Sequence, residues 1–148
     1  MNHLYLSPPY SLSHILLQTS ASNILTNKLF GRGRQWNGKA FFEDGKGVNR
    51  FYSKSELGNT EKEHSFDYTV EETRIIGSNG ESVLLRYDQY QSGLSLWRSM
   101  KDEIRLLPLP EDVGGQVLLG MGWMTWSGGI LNASPFCLWR ETEPKSSS

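Results

Sequence analysis

The sequence predicts an all-β chain: an antiparallel, eight- to nine-stranded barrel with a short N-terminal helix. Three observations lead there. From residue 34 onward apolar and polar residues alternate with a period of two, the signature of half-buried strands. Gly, Asn and Asp clusters interrupt that alternation every 10–15 residues or so, the spacing of hairpins. A helical signal occurs only near the N-terminus, so there are no crossover helices to cover a parallel sheet.

Taken in order, residues 1–29 read as a helix or coil lying on the domain, 30–143 as the barrel and 144–148 as a disordered tail. Pro8-Pro9 stops any earlier helix, Ser11 or Ser13 can cap the next one, and Ile15, Leu16, Ile24 and Leu25 supply its apolar side. Residues 34–43 form the first strand, with Trp36, Gly38, Ala40 and Phe42 on one face. Asp44-Gly45 then makes a tight turn, where glycine supplies the positive φ that the turn demands. Further strands are expected over 48–53, 63–76, 82–91, 94–100, 103–107, 116–127 and 134–141, with Pro108 and Pro110 ending the fifth of these. A meander of this many strands must close or stack on itself to protect its edges.

Composition removes several functions. The 15 Lys+Arg against 16 Asp+Glu leave a net charge of -1, without the basic excess that nucleic-acid binding by phosphate neutralisation calls for. One cysteine, Cys137, excludes an internal disulfide framework, and His3, His14 and His64 have no metal-ligand spacing, so no metal or cofactor is expected. No apolar run approaches the length of a membrane span. Residues 1–34 contain no acidic residue and are rich in Ser and Thr. That composition fits an organelle transit segment, but no Arg or Lys precedes Lys28, so a cytoplasmic protein is the first expectation.

An N-terminal helical turn, a Trp in the first strand (Trp36, in Gln35-Trp36-Asn37-Gly38), a meander and an Arg in the last strand (Arg140, in Leu138-Trp139-Arg140) together resemble the lipocalin-like (calycin) barrels. The resemblance implies that Trp36 and Arg140 close one end of the barrel, guanidinium over indole. It also implies an interior that holds one small ligand.

Candidate ligand-lining residues are Tyr52, Tyr68, Arg86, Trp123 and Trp126, an apolar set with a few polar tips. An inward Arg86 would grip an anionic or carbonyl group. The glycines of the Gly120–Trp126 segment mark close approach of a ligand or a backbone. That nearly continuous apolar strand could equally bury a second subunit. Candidate catalytic groups are Arg86 with Asp88, and His64 as a general base beside Asp67, Glu71 or Asp88. The leading expectation is therefore binding of an apolar or aromatic small molecule inside the barrel. The alternatives are an isomerase, cyclase or chromophore lyase (the bilin lyases of phycobiliproteins are lipocalin-like), and a ligand-free assembly protein. A polar pair deep in the interior with shifted pKa values would favour the enzyme.

Overall fold

The alternating segments pair in the order in which they occur along the chain. A computed structural model describes residues 10–52, 60–73, 79–107 and 109–141. Its strands are β1 (Tyr10–Gln18), β2 (Gln35–Phe42), β3 (Lys46–Tyr52), β4 (Thr60–Glu72), β5 (Glu81–Arg86), β6 (Met100–Leu107), β7 (Gly115–Met124) and β8 (Ser134–Glu141). Each is antiparallel to the next, and β1 also pairs with β8, so the sheet closes on itself and has no free edge. The all-β antiparallel barrel expected from the sequence is therefore formed. No helix among the described residues is long and apolar enough to cross a membrane.

The set of strands differs from the expected one at two places. The helix expected over residues 1–29 is not matched, because Tyr10–Gln18 is a strand. It pairs with β2 on one side and with β8 on the other. Sealing two open edges outweighs a weak local helix preference. After this strand, helix runs through α1 (Ser20–Ile24) and a π-helical turn at Leu25–Phe30. Leu94–Met100, expected as a strand, contains a 3₁₀ turn at Leu96–Ser99, which the Ser95 hydroxyl caps by accepting from Trp97 N–H. The Pro8-Pro9 stop, residues 74–76 of the expected third strand, Pro108 and the tail 144–148 lie outside the described residues.

Two bulges decide which side chains face inward. Between Trp36 and Gly38 the β2–β3 register shifts, with Gly38 at φ +132°. The extra residue inverts the alternation, so Trp36, Lys39 and Phe41 are all drawn into the interior. On β4, the register shifts at His64, which has φ +52°. The core then fills with Trp36, Phe41, Phe51, Phe66, Val83, Leu85, Tyr87, Ile104, Leu118, Met124, Phe136 and Leu138. Trp36 meets Phe136 edge to face at 5.5 Å, and Phe66 meets Tyr87 at 5.5 Å.

Candidate functional site

Lys39 is fully buried inside the barrel. Burying a lysine demands partners for its ammonium, and three strands supply them. Lys39 Nζ donates to Asn49 Oδ1 on β3 at 2.7 Å, to the Tyr87 hydroxyl just beyond β5 at 2.8 Å, and to Asp102 Oδ2 on β6 at 2.7 Å. The Tyr87 O–H donates in turn to Asp102 Oδ2 at 2.7 Å and accepts from Asn49 Nδ2 at 3.1 Å. Trp36 Nε1 donates to Asn49 Oδ1 at 3.2 Å. The bulge at His64 contributes here, since its carbonyl accepts from Asn49 Nδ2 at 3.1 Å and so fixes which way the amide points.

Apolar walls surround this polar centre. The ring centroids of Trp36, Phe66, Tyr87 and Phe136 lie 5.2–5.6 Å from Lys39 Nζ, within cation–π range. Burial lowers the Lys39 pKa, and the attraction and hydrogen bond of Asp102 partly oppose that shift. Burial, followed by the Asp102 charge, drives the Tyr87 phenol well above its ordinary value. The result is an ammonium–carboxylate pair with a phenol held protonated between them. Within this centre one atom stands apart: Asp102 Oδ1 is buried and has no hydrogen-bond partner among the described residues. It faces Gly122, where a Cβ would lie 2.8 Å from it. Of the groups in this centre, the carboxylate oxygen Oδ1 is the one positioned to accept from an N–H or O–H that the protein does not itself supply.

The residues expected to line a ligand site are dispersed. Tyr52 follows the inward Phe51 and falls on the opposite face of β3. Tyr68 packs on Phe41 at 5.6 Å and its hydroxyl donates to the Phe42 carbonyl, while burial raises its pKa. Arg86 lies on the outer face, half exposed, paired with Glu71. Trp123 is buried but alternates with the inward Gly122 and Met124, which places it on the outer face of β7. Trp126 is exposed on a 3₁₀ turn. Asp88 is exposed, so Arg86 and Asp88 make no buried catalytic pair. His64 packs its ring on Phe51 at 5.8 Å, with Nδ1 3.4 Å from Gln91 Nε2. Asp67 accepts from Tyr90, and Glu71 is held by Arg86 and Thr69.

Trp36 and Arg140 are both buried, but Trp36 stands on the second strand rather than the first. Lys39 lies over the Trp36 ring at 5.3 Å, and Arg140 donates to Gln116 of β7. The room at Gly120 is occupied by protein: a Cβ there would lie 2.1 Å from the Phe136 ring.

The sequence alone does not point to Lys39, Asn49 and Asp102 as members of this polar centre, nor does it single out Tyr87. The bulge beside Gly38 was the available signal for Lys39, since glycine inside a strand often marks one. Among the described residues no group of three or more His, Cys, Asp or Glu side chains is arranged to hold a metal. In comparisons with protein-family models, curated proteins and solved structures, the chain matches none.

Proposed function

We propose that the protein is a lipocalin-like barrel that binds an apolar or aromatic small molecule at the end of the barrel nearest Trp36, with Asp102 as its polar anchor. The observation that carries this reading is the unpartnered, buried Asp102 Oδ1 beside a buried ammonium. A buried ion pair is seldom the most stable way to fill a core, and apolar residues of similar volume often do as well or better. Its presence here fits a role in recognition. The waist of the barrel around Lys39 is filled by aromatic rings, so the ligand belongs above it. There Met124 lies at the end of β7, and Trp97 and Met100 pack against the core. Methionine side chains re-pack readily around a ligand. The acceptor at Oδ1 selects ligands that carry an N–H or O–H group.

A catalytic version of this reading has its own support. The deep polar pair with shifted pKa values is Lys39 with Tyr87, adjoining Asp102, rather than Arg86 with Asp88. An isomerase or cyclase would use the Tyr87 phenol as proton donor, with Asp102 holding it in place.

Native mass spectrometry of the purified protein, followed by titration with a naphthalene sulfonate dye, tests the binding reading. A co-purified molecule, or saturable one-to-one dye binding that Met124→Trp abolishes, is the expected result. A mass equal to that of the bare chain, together with no saturable dye binding, would overturn it.

A further inference from the structure

The barrel's two ends differ in character. Because each strand is antiparallel to the next, the connections β1–β2, β3–β4, β5–β6 and β7–β8 emerge at one end, while β2–β3, β4–β5 and β6–β7 emerge at the other. The first end carries long connections, spanning residues 19–34, 87–99 and 125–133. These hold four of the chain's most exposed large apolar residues: Leu94 at 98%, Leu131 at 81%, and Ile24 and Trp126 at 56% each. Tyr90 stands among them. Isolated exposed apolar residues need no explanation, but several gathered at one end of a fold from three separate loops do.

Among the described connections at that end the charges are equally one-sided. The three connections contain Lys28, Arg32, Arg34 and Arg98 against a single acid, Asp88. Lys28, Arg32 and Arg98 are exposed. The described connections at the opposite end carry Glu43, Asp44, Glu111 and Asp112. The described connections thus separate charge along the barrel axis: basic residues dominate on the apolar rim, and acidic ones at the other end, where Lys46 pairs with Asp44.

We infer that this rim docks on an anionic lipid bilayer surface. Leu94, Trp126 and Leu131 would enter the headgroup boundary while Lys28, Arg32 and Arg98 face the lipid phosphates. Apolar burial and electrostatic attraction then act on the same face, the combination that holds peripheral proteins on membranes. Complementarity of charge selects a bilayer over a second copy of the chain, whose rim would bring like charges together. This inference stands independently of whether the interior binds a ligand. A docked rim would, however, turn the barrel end that carries Met100 and Met124 toward the membrane.

The test is co-sedimentation of the full chain with vesicles of phosphatidylcholine, with and without phosphatidylglycerol. The bound fraction should rise with the anionic lipid and fall as salt is added, since screening shortens the reach of the rim charges. Trp126→Ser combined with Leu131→Ser should lower partitioning on the order of tenfold. Lys28→Glu, Arg32→Glu and Arg98→Glu together should remove the preference for anionic lipid. All five positions are exposed, so near-ultraviolet circular dichroism should show each variant folded. Failure of the parent protein to sediment with anionic vesicles, or variants that partition as the parent does, would overturn the inference. So would a dimer seen by light scattering that the same substitutions dissociate.

Discussion

Lys39 Nζ and Asp102 Oδ2 meet at 2.7 Å inside the barrel, although 63 residues separate them in sequence. Both side chains are almost fully excluded from solvent. The pair therefore joins β2 to β6, strands that share no backbone hydrogen bonds, through the centre of the core.

Removing one member leaves the other charge buried without its counterion. Asp102→Ala should destabilise the protein by about 3–5 kcal/mol, read as a lower urea midpoint. The double variant Lys39→Met/Asp102→Leu removes both charges at similar volume and should be more stable than either single variant. A double variant as unstable as the sum of the two singles would mean that the pair is not coupled.

Tyr87 sets a dependence on alkaline pH. Its folded pKa lies above its unfolded value near 10, so above that pH the unfolded chain releases a proton that the native state keeps. Its contribution is fully present below pH 10 and is lost as pH rises from there toward the folded pKa. The Tyr68 phenol, also raised, acts in the same direction. Lys39 acts oppositely: its folded pKa is lowered, so its contribution grows as pH rises from that pKa toward 10.5. The net expectation is a urea midpoint that falls above pH 10, with a shallower fall in Tyr87→Phe.

Gly120→Ala would set a methyl group 2.1 Å from the Phe136 ring. Overpacking of this kind costs about 1–3 kcal/mol. Because Phe136 also packs on Trp36, the near-ultraviolet dichroism of tryptophan should change along with the thermal midpoint.

His64 holds φ +52°, a conformation β-branched residues avoid strongly. His64→Val should cost about 1–3 kcal/mol and loosen the carbonyl that orients Asn49, while His64→Asn should keep most of the stability. Equal thermal midpoints for the two variants would argue that the bulge is not required.

Arg140→Ala deletes a buried stem and the bond to Gln116. A loss of about 2–4 kcal/mol is expected, measured by thermal unfolding.

Much of the barrel was legible because period-two alternation and Asp-Gly turns are local signals; β2, β3, β7 and β8 lie close to where the pattern put them. The N-terminal strand was not legible. Its reason for being a strand is two distant neighbours, Phe42 opposite Tyr10 and Phe136 opposite Gln18, and no local pattern encodes them. The polar centre was hidden for a related reason. Strict alternation puts Lys39 on the outer, solvated face, and one extra residue at the bulge moves it to the inner one. Asp102 was placed ahead of its strand, and Asn49 has meaning only beside Lys39. Arg86 and Asp88 are charges near a strand end, and such charges are most often solvated, as here.

The β1–β8 seam has a consequence for how the molecule comes into being. During synthesis the N-terminal strand emerges first, yet one of its two edges has no partner until the last strand follows. Every hairpin from β2 to β7 can zip locally, but the cylinder cannot shut until the two ends of the meander find each other. Contacts so far apart along the chain make folding slow. In the interval the nascent sheet offers two open edges to its neighbours, the exposure from which misassembly starts.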